Sequence, residues 1–286
     1  MPLINRLAIV GVGLIGGSLA RALREKGEVG EIVGIGRGEA NLQKAVELGV
    51  IDSWATDPCE GVRGADLVFL ATPVCSIAAI VERIAPVLAP GCIVTDGGSV
   101  KEGIVAPCER LMAPGTFFIG GHPIAGTEHS GVEASFATLY EGRRCILTPT
   151  ERTDGEALRK VTRMWETAGS EVVMMDVLKH DRVVGAISHL PHMVAYSLVN
   201  AVEGYDRFED GILKYSAGGF RDFTRIASSD PEMWRDIALM NREAIIEMMD
   251  FFGRYFARLR SLVESGDGEG MRRFFEESKE SRDTIL

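Results

Sequence analysis

Short unbroken apolar runs alternate with helically spaced apolar positions through the first 175 residues. Residues 7–10, LAIV, form a run of the kind that a strand buried on both faces shows, and residues 17–23 then take up helical spacing. Residues 32–35 give a second run, followed by a helix at 42–48 that Gly49 closes. Further strands are expected within 65–71 and at 93–95, 117–119, 145–147 and 172–175. Helices are expected after Pro73, through Ile77, Ile80, Val81 and Ile84, and at 154–168. Strand and helix in alternation predict an α/β fold over residues 1–175.

From residue 176 the pattern becomes helical only. Val183, Ile187, Leu190, Val194 and Leu198 keep helical spacing, with a kink expected at Pro191. Asp230-Pro231 reads as a cap and first helical position, and one long helix is expected through Trp234, Ile237, Ala238, Ile245, Met248, Met249, Phe252, Phe256 and Leu259. Its apolar residues cover more than one stripe, so it is expected to be buried in a larger assembly, a homodimer. Residues 266–270 break it, and a short helix ends the chain. The expected division is 1–175 and 176–286.

The turn after the first strand carries Gly11, Gly13 and Gly16 in the spacing G-x-G-x-x-G. Between a strand and a helix these glycines serve a tight turn, close approach of a pyrophosphate and close helix–strand packing, while the helix N-terminus offers N–H groups to phosphate. An N-terminal Rossmann-type dinucleotide-binding domain is therefore expected, followed by an all-helical C-terminal dimerisation domain. Gly11, Val12, Gly13, Leu14, Ile15 and Gly16 are its candidate cofactor contacts, with Ala71, Thr72 and Pro73 from a neighbouring strand end and Gly98 from the next. The second strand runs into Gly36-Arg37, where NAD-binding folds usually place an acid. Arg37 is either a solvated strand-end arginine or a cofactor contact that pairs with a 2′-phosphate or stacks on the adenine, which favours NADP while leaving NAD open.

The chain has 286 residues and a formal net charge of −10, which argues against a general nucleic-acid binder. Its five cysteines are scattered and form no C-x-x-C, as expected of reduced thiols in the cytoplasm. The first strand begins within a few residues of Met1, so no signal peptide is expected, and no apolar run is long enough to span a bilayer.

Three segments carry candidate chemistry. Ser99, in Asp96-Gly97-Gly98-Ser99-Val100-Lys101, either caps the next helix or donates a hydrogen bond to a substrate or base. His122, in Gly120-Gly121-His122-Pro123-Ile124-Ala125-Gly126-Thr127-Glu128, is expected in a loop outside regular structure, where an imidazole suits proton removal during hydride transfer. Arg225 follows Gly218, Gly219, Arg221 and Asp222, and is either a surface partner of Asp222 or a bidentate holder of a carboxylate. His189 and His192 lie three apart without a third ligand, so a metal site is not expected. His189 reads as a core histidine, and His192 as a cleft residue if its helix faces the first domain.

Gly11-Val12-Gly13-Leu14-Ile15-Gly16-Gly17-Ser18, Asp96 to Lys101, Gly121 to Gly126, Ser188-His189-Leu190-Pro191-His192 and Phe220 to Ala227 together resemble the prephenate dehydrogenases of tyrosine biosynthesis, in that family's order and over the whole chain. The resemblance implies a dimer that oxidatively decarboxylates prephenate to 4-hydroxyphenylpyruvate with NAD or NADP. It implies that His122 is the catalytic base, with Ser99 orienting it or the substrate. Arg225 would bind a substrate carboxylate, with His192, Thr127 and Trp234 also on the substrate side, and Glu128 and Asp222 would gate the cleft. An arogenate or dual-specificity cyclohexadienyl dehydrogenase, a β-hydroxyacid dehydrogenase with a helical dimer domain, and a dinucleotide sensor without catalysis are the alternatives.

Overall fold

The structure, a computed structural model, describes residues 1–127, 129–206 and 211–285. Six parallel strands form the main sheet: β1 (Ile4–Val10), β2 (Val29–Ile35), β3 (Ser53–Ala55), β4 (Leu67–Leu70), β5 (Ile93–Asp96) and β6 (Phe117–Ile119), in the order β3-β2-β1-β4-β5-β6. The connecting helices are α1 (Leu14–Glu25), α2 (Glu39–Glu47), α3 (Pro58–Gly61), α4 (Val74–Ile84) and α5 (Glu102–Leu111). Side chains alternate between two buried layers, as period-2 strands covered on both faces require. Leu7, Ile9, Ile32, Leu67 and Phe69 enter one layer; Ala8, Val10, Ile35, Val68 and Leu70 enter the other.

Register matters more for function than strand count. Val10 pairs with both Ile35 and Leu70, and Leu70 pairs with Asp96. Four strands thus end on one rung, and Gly11, Gly36, Ala71 and Gly97 leave the carboxyl edge side by side. The order of this sheet reverses there, which is where open parallel sheets bind ligands.

A second sheet follows, made of β7 (Gly121–Pro123), β8 (Arg144–Leu147) and β9 (Glu171–Met174), with α6 (Gly155–Thr167) between the last two. β7 runs antiparallel to β8, pairing His122 with Ile146, and β8 runs parallel to β9. The expectation that His122 lies outside regular structure is corrected: it sits in a short strand, between Gly121 and Pro123. The flanking glycines and proline masked a strand of three residues whose ladder partner is β8.

The remainder is helical among the described residues: α7 (Val177–Val184), a π-helical turn (Gly185–His189), α8 (Leu190–Asp206), α9 (Gly218–Thr224), α10 (Pro231–Met240), α11 (Arg242–Ser265) and α12 (Gly268–Asp283). The irregularity expected at Pro191 takes the form of that π turn just before it, where the missing N–H disturbs the helical ladder. Asp230 caps α10 by accepting from the Met233 N–H, with Pro231 first in the helix, as expected. The single long helix expected after it is two. Asn241 breaks it at φ −112°, ψ 33°, and its amide bonds to the Asp181 carbonyl and to His189 rather than capping α11. Trp234 and Ile237 of α10 join the layer beneath α4 and α5, fastening the helical part to the sheet. None of the helices among the described residues is long and apolar enough to cross a membrane.

Candidate functional site

The glycine turn at the end of β1 fits a dinucleotide. Gly11 has φ +97°, and a Cβ there would stand 2.3 Å from the Ala71 carbonyl oxygen. A Cβ on Gly16 would stand 2.2 Å from the Gly11 carbonyl oxygen, whereas one on Gly13 would meet nothing within 4 Å. Gly11 and Gly16 are thus required by packing, whereas Gly13 leaves open space beside the turn. α1 begins with no side-chain cap and no acid in its first turn, leaving its first N–H groups and positive end open to an anion. Val12 is buried and its carbonyl accepts from Asn41 Nδ2 at 2.7 Å, which braces the turn. Leu14 and Ile15 follow in the first helical turn. Thr72 Oγ1 accepts from Ser76 Oγ at 3.0 Å, and Pro73 stands at the N-cap of α4. Arg37 is exposed just beyond β2. Gly98 is buried, and its N–H is engaged by Asp96 Oδ2 at 2.9 Å.

Across the same edge lies a buried polar cluster. Asp96 ends β5 fully buried and pairs with the equally buried Lys101, while its Oδ1 accepts from the Gly121 N–H at 3.1 Å. This carboxylate therefore ties the main sheet to the start of β7 and places His122 beside the edge. His122 is 9% exposed, and its Nδ1 lies 2.8 Å from His180 Nε2. His180 Nδ1 lies 2.7 Å from Asp181 Oδ1. Asp181 also accepts from the backbone N–H groups of Lys101, at 2.8 Å, and Glu102, at 2.9 Å. The α5 N-terminus is therefore capped from α7, and the reading of Ser99 as its cap is corrected: Lys101 occupies that position, and Ser99 is half-buried in the preceding bend. Burial, helped by His180, Lys101 and His189, holds the His122 imidazole well below its usual titration range and so uncharged near neutrality.

The helical side brings further expected residues together. His192 stacks on Trp234 with ring centroids 3.6 Å apart, and its Nδ1 is 2.9 Å from the Ser188 carbonyl oxygen. Arg225, exposed, lies close enough to press the His192 imidazole toward its neutral form, after burial does so first. His189 is a core histidine, as expected, 1% exposed and 2.9 Å from Asn241 Nδ2 through Nδ1. Contacts thus run without a gap from His122 through His180, Asp181, Asn241, His189 and Trp234 to His192. Asp222 is exposed on α9, and Thr127 is exposed with Oγ1 accepting from the His129 N–H at 3.2 Å. Glu128 lies outside the described residues.

Asp96, Lys101, His180, Asp181 and Asn241 received no role from sequence. A signal for two of them was present. Val177, His180, Asp181 and Val184 share one helical face at spacings of three and four, so two polar residues occupy core-facing positions. Buried polar side chains at such positions need partners, and here His180 partners His122 while Asp181 partners His180 and the start of α5.

Residues 19–174 match the family model for the nucleotide-binding domain of prephenate dehydrogenase, and residues 176–277 match the model for its dimerization domain. The chain belongs to the prephenate dehydrogenase family. It is 36% identical to the cyclohexadienyl dehydrogenase of Zymomonas mobilis over 99% of this chain and 96% of that protein. It is 37% identical to the prephenate dehydrogenase of Bacillus subtilis over 98% of this chain and 76% of that protein. The crystal structure of Aquifex aeolicus prephenate dehydrogenase in complex with hydroxyphenyl propionate and NAD+ superimposes with a TM-score of 0.93 at 41% identity, covering 99% of this chain and 98% of that one. The resemblance seen in the motifs is therefore borne out, as is the expectation of an oxidoreductase with a Rossmann-type first part and a helical second part.

Two outcomes follow from this geometry. Gly13→Asp should fold with a near-native Tm yet weaken NAD+ binding at least about tenfold by calorimetry, since the new charge would repel the phosphates of a dinucleotide bound at this turn. Gly16→Val should lower Tm as well; equal melting of the two variants contradicts the division of labour. Burial also lowers the titration of His180 and His192, and pushes His189 down to about 4. The unfolded chain binds protons at these sites below pH 6.5 while the fold does not, so stability is full above that pH and falls as pH is lowered. Melts between pH 6.5 and about 5, above the carboxylate range, should show a falling Tm, and a flat Tm would contradict it.

Proposed function

We propose that the protein oxidatively decarboxylates prephenate to 4-hydroxyphenylpyruvate, with the roles of its residues assigned as follows. A nicotinamide dinucleotide held at the Gly11–Gly16 turn supplies the hydride acceptor. His122, with Nδ1 engaged by His180, takes the proton of the substrate's ring hydroxyl on Nε2 as the carbon beneath is oxidised. An imidazole kept neutral by burial is ready for that proton. Loss of carbon dioxide then leaves an aromatic ring and makes the step nearly irreversible. Ser99, in the bend between β5 and α5, orients His122 or the hydroxyl. Arg225 pairs with a substrate carboxylate, and its guanidinium suits two parallel hydrogen bonds. His192, held by the Ser188 carbonyl and the Trp234 ring, positions the substrate side chain, with Thr127 at the mouth and Asp222 gating it. Arg37 favours NADP by offering a charge to the 2′-phosphate where an acid would repel it.

The observation that carries this reading is His122 itself: a buried, uncharged imidazole tied by Asp96 to the edge where the glycine turn lies. A dual-specificity reading, in which arogenate also serves, draws on the 36% identity to a cyclohexadienyl dehydrogenase. Initial rates with prephenate and arogenate, each with NAD+ and NADP+, decide among these. Tight dinucleotide binding without oxidation of either substrate would favour a sensor.

The working form proposed is a cytoplasmic homodimer, divided at residues 175 and 176 into dinucleotide and helical parts. On α11 the side chains of Ile246, Met249, Phe251, Phe252, Tyr255 and Phe256 are 40–61% exposed in the single chain. An apolar surface of that extent along one helix is the kind that a second subunit covers.

His122→Asn should lower kcat by about 10² or more with KM little changed, and near-normal turnover would remove the base from the account. Arg225→Ala should raise KM for prephenate far more than it lowers kcat, and an unchanged KM would count against the carboxylate role. Light scattering should give twice the 31.0 kDa of one chain, falling toward 31.0 kDa when Phe252 and Phe256 are both changed to Arg. A wild-type monomer would refute the dimer.

A further inference from the structure

Hydrogen-bond roles along the chain Asp181–His180–His122 can be worked out from its anchored end. Asp181 Oδ1 and Oδ2 both accept backbone N–H groups, those of Lys101 and Glu102, at the N-terminus of α5. A backbone N–H only donates, so the group facing His180 Nδ1 is an acceptor on both oxygens. His180 Nδ1, 2.7 Å away, is then the donor. A neutral imidazole with its proton on Nδ1 presents a lone pair on Nε2. His122 Nδ1 lies 2.8 Å from that Nε2 and must carry the hydrogen between them. That leaves the lone pair of His122 on Nε2.

We propose that His180 and Asp181 are positioning residues that fix His122 in the Nδ1–H tautomer, so that its only basic nitrogen is the one turned to the substrate. The inference rests on the function proposed above for His122 and adds the device that makes it a base rather than a donor. An imidazole free to choose would spend part of its time with the proton on Nε2, where it cannot accept the hydroxyl proton. When His122 takes that proton, its Nδ1–H points along the chain toward a carboxylate, which favours the cation that forms. Among the described residues, the charged or titratable groups around the pair are already engaged elsewhere. The other charged or titratable groups that act on His122 and His180 are Lys101 ahead of α5, Asp96 at the end of β5 and His189 in the π turn. Asp96 is engaged by Lys101 and by the N–H groups of Gly98 and Gly121, and His189 Nδ1 by Asn241. All three members are nearly or fully buried, at 9%, 0% and 2% exposure for His122, His180 and Asp181, so water does not take over the missing roles.

The test uses the 286-residue chain and two variants at one position. His180→Leu removes the acceptor, whereas His180→Gln can return an amide oxygen near the place of Nε2. With prephenate and the preferred dinucleotide, His180→Leu should lower kcat about 10- to 100-fold with KM within about twofold, and His180→Gln should recover part of the loss. On a His122→Asn background His180→Leu should cost nothing further, because a positioning residue has nothing left to position. Equal losses on both backgrounds, or loss in KM alone, would overturn the proposal. A second readout needs no substrate. The chain has five histidines, and ring-nitrogen NMR of 15N-histidine protein, assigned with His122→Asn, reads each tautomer directly. His122 should be Nδ1–H in the wild type and move toward Nε2–H in His180→Leu. Nε2–H in the wild type, or no change in the variant, would overturn the relay. A protein with the expected tautomer that oxidises neither prephenate nor arogenate would refute the proposed function and leave the relay standing.

Discussion

The carboxylate of Asp181 joins three parts of the molecule at once. It caps α5, which belongs to the parallel sheet; it sits on α7, the first helix of the second part; and it holds His180, which holds His122. Its backbone carbonyl accepts from Asn241, which breaks the path from α10 to α11. A buried carboxylate is costly without donors, and this one is surrounded by them. Sliding the helical part on the sheet would strand this charge, and that cost opposes such a displacement. The same anchoring sets where the proposed base stands relative to the proposed dinucleotide turn.

A second buried pair, Asp96 with Lys101, works from the sheet side. Asp96 closes the rung on which β1, β2, β4 and β5 end, and its other oxygen takes the first N–H of β7. The glycine turn and His122 are therefore fixed to one strand edge by short covalent paths and buried bonds rather than by a loop. Such rigidity suits a site in which a proton and a hydride leave neighbouring atoms, since small misplacements cost large factors in rate.

Much of this was legible in the sequence. Strands buried on both faces announce themselves as runs, and β1, β2, β4 and β5 were found for that reason, as was the glycine turn. Asp230-Pro231 marked a helix start because capping chemistry is local. What escaped was non-local. β7 has three residues and exists only because β8 lies beside it. The break at Asn241 lies in an apolar run whose spacing does not register it, since its cause is a bond to residues on α7 and the π turn. His122 reads as a candidate base from its motif, but it sits in a short strand rather than in the open loop that its glycines and proline suggest. His180 and Asp181 lie 58 and 59 positions further along the chain, and only the fold brings them to His122. Their placement on the inward face of α7 was the one trace that the sequence carried.

The central claim is that a neutral, buried His122 accepts the proton released when the substrate is oxidised. The pH dependence of kcat/KM for prephenate tests it most directly, because that profile reports the base in the free enzyme. The account predicts an acidic limb, set by a group titrating below the ordinary histidine value of about 6.5, that disappears in His122→Asn. An acidic limb at the same pH in both proteins would assign the base to another residue and contradict the account.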